Sequence, residues 1–151
     1  MDIKELKPTS IWHYFDAITG VPRPSKKEER IREFLLNFAK EQNLEVKVDK
    51  TGNVVITKEA TPGCEGAPTV ILQAHMDMVC EKNGDVKHDF ERDPIETYID
   101  GEWVKARGTT LGADNGIGMA AAMAVLADKE LKHGRIQALF TVDEETGLTG
   151  A

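Results

Sequence analysis

Residues 69–77 read TVILQAHMD and residues 136–145 read IQALFTVDEE, and these two stretches decide the fold. Each begins with a nearly continuous apolar run, which is typical of a strand buried on both faces of a sheet. Between them, residues 115–128 are rich in Ala and Met and are predicted to form a helix. Strand, helix and strand in this order predict a βαβ unit. We therefore expect an α/β fold with a mixed, partly parallel sheet flanked by helices.

Two further helices are predicted near the amino terminus. Apolar residues recur at helical spacing over residues 9–20, so a helix with a hydroxyl N-cap at its start and a glycine at its end is expected there. Ser25 and Glu28 have the spacing of a capping box, in which the first side chain caps the helix and the second reaches back. They predict a second amphipathic helix that ends at about Glu41.

Alternating patterns predict two hairpins. The first covers residues 44–56 with a Thr-Gly-Asn turn, and the second covers residues 98–104 around an Asp-Gly turn. Residues 59–68 carry two prolines and two glycines and are predicted to be a surface loop. Trp12 and Trp103 are interpreted as packing aromatics.

Length and charge exclude several classes of function. The chain has 151 residues, which corresponds to about one domain. Its formal net charge of −7, with 40% hydrophobic and 30% charged residues, indicates a globular chain rather than a disordered one. An acidic chain lacks the basic surface that nucleic acids and anionic membranes require, so neither is an expected partner. Cations are the natural partners of such a chain.

The chain is expected to be cytoplasmic. Residues 1–5 read MDIKE and contain no apolar run that could serve as a signal peptide. No stretch approaches the roughly 20 consecutive apolar residues of a membrane span. Cys64 and Cys80 are therefore expected to stay reduced.

Polar clusters follow both predicted strands and open the helix between them. His75 and Asp77 follow the first strand, Asp114 opens the helix, and residues 143–145 (Asp-Glu-Glu) follow the second strand. Open α/β sheets place their functional sites at the carboxyl ends of the strands. We therefore expect these clusters to converge.

His75 and Asp77 are predicted to contact each other. In an extended backbone, residues i and i+2 project to the same side, and a carboxylate on one ring nitrogen presents the other nitrogen to a metal ion. A surface histidine beside an acid is the alternative for so short a motif.

Asp114 lies in the segment GADNGIG at residues 112–118. One alternative is a simple helix N-cap followed by glycines that allow close packing. A phosphate loop is excluded, because the segment matches neither the P-loop pattern nor the dinucleotide fingerprint.

Residues 143–145 place three acids directly after a strand. Because adjacent side chains of an extended segment point to opposite sides, Glu144 and Glu145 are not expected to serve the same atom. One could ligate a cation while the other acts as a general base on water. A solvated acidic turn is the alternative.

Convergence favours a divalent cation, because clustered carboxylates without one would repel each other. Oxygen ligands and one imidazole suit zinc, manganese or cobalt. Two ions about 3.5 to 4 Å apart would account for the number of acids.

Three stretches carry a resemblance to a known family: residues 75–83 (HMDMVCEKN), 109–118 (TTLGADNGIG) and 141–151 (TVDEETGLTGA). With PRPS at residues 22–25, they span the chain. It resembles the aminoacyl-histidine dipeptidases, also called Xaa-His dipeptidases or carnosinases. These belong to a wider dizinc metallopeptidase group that includes aminoacylases and tripeptidases.

The resemblance implies a role for each site residue. His75 would ligate one metal ion, Asp114 would bridge two, and Glu145 would ligate the other. Asp77 would orient the imidazole of His75, and Glu144 would be the general base that deprotonates water. The implied cofactor is two Zn²⁺ ions, with Co²⁺ or Mn²⁺ as alternatives.

The implied reaction is hydrolysis of a dipeptide with a free amino terminus. The family also has an Asp and a late His ligand, and a lid domain that often forms a homodimer. We therefore expect residues 1–151 to be the N-terminal part of a catalytic domain, inactive alone. The resemblance also implies a cis peptide bond between Asp114 and Asn115.

Two alternatives remain. The chain could belong to a related tripeptidase or deacylase, or it could be a domain that binds a divalent cation or a peptide without turnover.

Overall fold

Three α-helices and six β-strands follow one another along residues 2–151, the part of the chain that the computed structural model describes. A short 3-10 helix, Ile3–Glu5, precedes them. The elements in chain order are α1 (Thr9–Thr19), α2 (Glu29–Glu41), β1 (Glu45–Val48), β2 (Val54–Lys58), β3 (Val70–His75), β4 (Thr97–Asp100), β5 (Trp103–Ala106), α3 (Ala113–Ala127) and β6 (Ile136–Thr141).

The main sheet has four strands in the order β1-β2-β6-β3. Strands β1 and β2 are antiparallel, β2 and β6 are antiparallel, and β3 and β6 are parallel. Helix α3 lies on the crossover between β3 and β6, which confirms the predicted βαβ unit. The register pairs Val70 with Ile136 and His75 with Thr141, so the two parallel strands end side by side. The residues that directly follow His75 and Thr141 therefore lie close together.

Strand β3 is only partly buried, so the prediction of burial on both faces was wrong for its first half. Val70 is 52% exposed and Ile71 is 61% exposed, whereas Ala74 and His75 are buried. The physical reason is position, because β3 is an edge strand that pairs with β6 alone among the described strands. Strand β6 is central and is buried as predicted.

The core lies between the helices and one face of the sheet. Helix α1 packs against α3, and α3 packs against β3 and β6. Helix α2 buries the apolar face that its periodicity predicted. The buried side chains at the centre include Phe15, Ile18, Ile31, Leu35, Phe38, Ile56, Met119, Met123, Leu126 and Phe140. At roughly 1.5–3 kcal/mol for each large apolar side chain, burial supplies the main driving force for this packing.

Both predicted helix caps were wrong. The carbonyl of Pro8 accepts the first bond of α1, from Trp12 N, so the helix begins one residue earlier than a hydroxyl cap would place it. Helix α2 begins at Glu29, and its N-cap Glu28 makes no side-chain capping bond. The Ser25 hydroxyl and the Glu28 carboxylate are instead committed to partners outside the helix.

Both predicted hairpins are confirmed, and residues 59–68 form a loop. The second hairpin turns at Gly101 and Glu102, where Gly101 adopts a positive φ of 59°. Trp103 is 70% exposed, which contradicts its interpretation as a packing aromatic. It lies on a two-stranded sheet with solvent on one side.

The helices within residues 2–151 lack the combination of length and apolar character that crossing a membrane requires. Cys64 and Cys80 are free thiols.

Candidate metal centre

Three segments meet at the carboxyl edge of the sheet, as the sequence predicted. They are residues 75–77 after β3, residues 112–114 at the start of α3, and residues 143–145 after β6. The amide of Met76 donates to Thr141 O at 2.7 Å, which extends the parallel pairing past the strand ends. The segments that follow β3 and β6 are therefore joined by a main-chain hydrogen bond.

His75 lies at the centre of this edge, and its two ring nitrogens have different surroundings. Nδ1 is 3.0 Å from the Asp77 carbonyl oxygen and 3.2 Å from Asp77 Oδ1. Both are acceptors, so Nδ1 carries a proton and donates. The predicted contact between His75 and Asp77 is confirmed.

The other nitrogen, Nε2, faces carboxylates. It lies 2.8 Å from Asp114 Oδ1, 3.7 Å from Glu144 Oε2 and 3.9 Å from Glu145 Oε1. Each of these oxygens is an acceptor, so a second proton or a cation must lie between Nε2 and the carboxylates. This requirement is the central chemical feature of the site.

We call His75, Asp114 and Glu145 the outer triplet. Each offers one ligand atom, and the three atoms lie within 4.8 Å of one another. Among residues 2–151, His75 is the only cationic or donor side chain within 4.0 Å of the carboxylates of Asp114, Glu144 and Glu145, and only Asp114 is within hydrogen-bond distance of it. The outer triplet thus combines imidazole nitrogen and carboxylate oxygen with unused coordination capacity, a donor set that suits zinc and related divalent ions.

Glu144 and Glu145 face the same nitrogen, so the prediction that they point to opposite sides was wrong. The prediction assumed an extended backbone, but Asp143 has a positive φ of 50°. The carbonyl of Glu144 then accepts hydrogen bonds from Gly147 N and Leu148 N. The chain turns immediately after β6, and this turn swings both carboxylates towards His75.

Asp114 is not a helix cap. Asp114 and Asn115 both have non-helical angles, with φ −90° and ψ 107° at Asp114, so α3 has a kink near its start and is continuous only after Asn115. Its side chain is 84% exposed and bonds to His75. The peptide bond between Asp114 and Asn115 is cis, as the resemblance implied.

A second acidic group lies directly behind the first, and we call it the inner triplet. It consists of Glu28, Asp77 and Asp143, all buried, whose ligand atoms also lie within 4.8 Å of one another. Asp77 Oδ1 accepts from Glu144 N at 3.0 Å, and Oδ2 accepts from Glu145 N at 3.2 Å. Asp77 thus orients both His75 and the turn that carries the two glutamates.

The other two members of the inner triplet also bond to groups of the protein. Glu28 Oε1 accepts from Asp143 N at 2.8 Å and from Lys26 N at 3.1 Å. The Asp143 carboxylate accepts from the hydroxyl groups of Thr146 and Thr149.

Three residues of this region were missed as site residues by sequence reasoning: Arg23, Ser25 and Glu28. The Ser25 hydroxyl donates to Asp77 Oδ2 at 2.7 Å. The signal that could have found Arg23 and Ser25 is the PRPS segment, which the resemblance included without a role. Glu28 resembled a capping residue and carried no signal of its own.

Electrostatics at the edge reflect the crowded carboxylates. Burial alone would lower the pKa of the His75 imidazole, but the hydrogen bond to Asp114 and the charge of Asp77 outweigh it, and the pKa is raised. Burial raises the pKa of the Glu145 carboxyl, and the charges of Asp114 and Glu144 add to this against the opposing effect of His75. By contrast, the hydroxyl groups of Thr146 and Thr149 lower the pKa of Asp143.

Comparisons with known proteins show which family the chain is related to. Residues 71–151 match the model of peptidase family M20/M25/M40. The chain is 53% identical over 150 residues to the cytosol non-specific dipeptidase of Escherichia coli (strain K12), covering 99% of this chain and 31% of that protein.

Solved structures give the same result. The crystal structure of aminoacylhistidine dipeptidase from Vibrio alginolyticus matches with a TM-score of 0.97 and 57% identity, over 99% of this chain and 31% of that one. A tripeptidase from Staphylococcus aureus matches with a TM-score of 0.78 and 25% identity, over 96% of this chain and 39% of that one.

The chain therefore spans about a third of the length of these relatives. The mixed α/β fold predicted from the βαβ unit is confirmed. The family match covers more than half of the chain and includes every residue of the outer triplet. This chain belongs to peptidase family M20/M25/M40.

Proposed function

We propose that the protein containing this chain is a metal-dependent dipeptidase that hydrolyses dipeptides with a free amino terminus, of the Xaa-His type. The observation that carries the proposal is the environment of His75 Nε2, which faces three carboxylates and has a buried partner on its other nitrogen. A binding module without turnover has no need for Glu144 beside the proposed ligands.

The residues present fit a divalent metal centre. His75, Asp114 and Glu145 would hold it, with Asp114 as the bridge between two Zn²⁺ ions, or Co²⁺ or Mn²⁺ in their place. The exposed Asp114 carboxylate has a second oxygen without a hydrogen-bond partner among the described residues, which suits a bridging role. When bound, such ions polarise the scissile carbonyl and lower the pKa of a water molecule towards neutrality.

Glu144 is the proposed general base. Its carboxylate is 34% exposed, so it can reach both a water molecule and a substrate, and it lies beside the proposed ligands rather than among them. It would take a proton from the attacking water and deliver it to the leaving amine. The main-chain amide of Glu144 bonds to Asp77, which holds the backbone that carries the base next to the residue that orients His75.

Asp77 is proposed to orient the imidazole. It accepts the Nδ1 proton of His75, which directs the lone pair of Nε2 towards the outer triplet. Asp77 is fully buried, so this orientation does not depend on solvent.

A dipeptide substrate is favoured over a longer one by the names of two similar proteins. Relatives at 53% and 57% identity are called dipeptidases, whereas the tripeptidase match is at 25%. A tripeptidase is the second candidate, and a deacylase of the same group is a third that rests on the resemblance alone.

The wider organisation is also proposed. We infer that residues 1–151 contribute the N-terminal part of a catalytic domain, and that further ligands and a lid domain with a homodimer contact lie in other parts of the protein. The relatives' threefold greater length supports this inference. The residues described here are then expected to be inactive alone. The name of the Escherichia coli relative supports a cytoplasmic location.

Substitution of the proposed base tests the function. In the full-length protein, Glu144→Gln is expected to keep the metal content but to lower kcat for an Xaa-His dipeptide at least ~100-fold, because the amide cannot accept the proton. Metal analysis and steady-state kinetics measure both effects. Glu130→Gln, an exposed glutamate distant from the site, is the matched control. Near-normal turnover by Glu144→Gln would refute the assignment of the base.

A further inference from the structure

Arg23 has no role in the proposed reaction, yet it is among the largest fully buried side chains of the protein. It is 1% exposed and lies in the PRPS segment between α1 and α2. A buried guanidinium is costly unless its donors are satisfied, and here Nη1 and Nη2 have partners whereas Nε has none among the described residues. The partners of the two Nη atoms indicate what the guanidinium does.

The guanidinium bonds to two of the three segments that form the metal centre. Nη1 donates to Met76 O at 3.0 Å and to Asp77 O at 3.1 Å. Nη2 donates to Gly112 O. The first two carbonyls directly follow His75, and the third lies two residues before Asp114. A single planar group therefore connects the imidazole ligand to the proposed bridging carboxylate.

Two glycines make room for this group. A Cβ at Gly112 would lie 2.6 Å from Arg23 Nη2, and a Cβ at Gly116 would lie 2.8 Å from it. Gly112 also adopts a positive φ of 73°, which disfavours any other residue. The start of α3 is thus shaped around the guanidinium.

The PRPS segment that carries Arg23 also contacts the side chain of Asp77. The Ser25 hydroxyl donates to Asp77 Oδ2 at 2.7 Å, and Arg23 O accepts from Met78 N at 3.1 Å. Asp77 is therefore bound at its carbonyl by Arg23 and at its carboxylate by Ser25. Both contacts act on the residue that orients His75.

Charge adds to geometry. Burial lowers the pKa of Arg23 to about 10, and the nearby charges of Asp77, Asp114 and Glu145 oppose that shift, so the guanidinium stays cationic near neutral pH. It forms no ion pair among residues 2–151 and bonds to carbonyl oxygens instead. A fixed positive charge thus lies behind the carboxylates of the outer triplet.

We propose that Arg23 is a positioning residue of the metal centre, which sets the placement of His75 relative to Asp114 through the carbonyls of Met76, Asp77 and Gly112, with Ser25 as its helper. The inference rests on the proposed function. A role in folding alone is the competing explanation, and it predicts a loss of stability without a change in the metal site.

Cobalt binding separates the two explanations. The full-length protein is freed of metal and titrated with Co²⁺, and the visible absorption spectrum reports both affinity and ligand geometry. The variants are Arg23→Lys, which keeps the charge but loses the planar fork, Arg23→Met, which loses both, and Ser25→Ala. Leu35→Ala is the control, because Leu35 is fully buried in α2, belongs to the apolar core and has no polar side-chain group that could bond to the site.

Both Arg23 variants are expected to bind Co²⁺ about 10- to 100-fold more weakly and to change its spectrum, the range observed when outer partners of metal ligands are removed. Leu35→Ala is expected to lower the melting temperature while leaving affinity and spectrum unchanged. Ser25→Ala is expected to weaken binding by a few-fold, and it serves as the test if the Arg23 variants fail to fold.

Wild-type affinity and spectrum in Arg23→Lys or, should the Arg23 variants not fold, in Ser25→Ala would overturn the positioning role. If the wild-type protein itself binds no Co²⁺ at His75, the proposed function fails instead. The two failures are therefore distinguishable.

Discussion

The outer and inner triplets lie side by side and each contains one Asp and one Glu, with His75 as the third member outside and a second Asp inside, but the hydrogen bonds that they receive are different. The inner triplet, Glu28, Asp77 and Asp143, receives amide and hydroxyl hydrogens from the chain. The outer triplet, His75, Asp114 and Glu145, receives a hydrogen-bond donor only from its own histidine among the described residues. Acidic clustering is thus shared by both groups, and the supply of donors is what differs.

This difference has a physical consequence for metal binding. A carboxylate with several N–H and O–H donors needs no cation to satisfy its oxygens, because those hydrogen bonds replace its hydration. Carboxylates that face each other without donors repel, and in Glu145 the charges of Asp114 and Glu144 add to the larger effect of burial in raising the pKa. Of the two triplets, we therefore expect only the outer one to bind metal.

The largest expected effect comes from Glu145→Gln in the outer triplet. Zn²⁺ binding by the full-length protein is expected to weaken more than ~100-fold, because a proposed ligand is replaced by a neutral amide. This is more than the usual effect of changing a residue that only hydrogen-bonds to a metal ligand. The metal-free protein should not become less stable, since a carboxyl whose pKa burial has raised is replaced. Calorimetric titration and metal-free melting temperatures measure the two effects. A large loss of metal-free stability would contradict the comparison.

The same chemical change in the inner triplet is expected to act with the opposite sign on stability. Both carboxylate oxygens of Asp77 accept from backbone N–H or hydroxyl donors. In Asp77→Asn, the side-chain NH2 replaces one of these oxygens and faces a donor, so at least one hydrogen bond to a charged group is lost. A loss of about 2 kcal/mol in the free energy of unfolding is expected. The melting temperature of the metal-free protein checks this, and an unchanged value would show that the donors do not stabilise the carboxylate.

The smallest effect is expected for Glu28→Gln, which keeps a carbonyl oxygen for the amides of Lys26 and Asp143. Burial raises the pKa of Glu28 above its ordinary value of 4.5. The folded state then resists ionisation, so this carboxyl contributes most stability at low pH and loses it as pH rises above about 4.5 through the raised pKa.

The variant lacks this loss. Its melting temperature near pH 7 should lie within a degree or two of that of the wild type or slightly above it. As pH falls to about 4, the wild-type carboxyl becomes protonated, so the wild type should gain stability relative to the variant. A strongly destabilised Glu28→Gln at neutral pH would mean that the charge itself stabilises the inner triplet.

The position of the outer triplet could be predicted because it depends only on the topology of the sheet. A βαβ unit puts the ends of its parallel strands at one edge, and the register of His75 with Thr141 is the realised form of that rule. The contact between His75 and Asp77 followed from the period of an extended backbone.

Other features could not be predicted because they depend on partners distant in sequence. The exposure of Ile71 depends on whether another strand lies beside β3, and the sequence pattern of an edge strand and a central strand is the same here. Ser25 and Glu28 match a capping box locally, but each finds a stronger partner more than 50 residues away. The left-handed conformation of Asp143 overrides the alternation that was assumed for Glu144 and Glu145.

The sequence by itself determined the order of strands and helices, the α/β class and the three segments that carry the acids, because periodicity and chain order are local properties. Only the tertiary structure decided which carboxylates are supplied with hydrogen-bond donors and which are left to face His75 Nε2. Donors such as the amides of residues 143–145 and the guanidinium of Arg23 act through space on residues that are remote in the chain. The distinction between a structural acidic cluster and a candidate metal centre therefore arises only when the chain is folded.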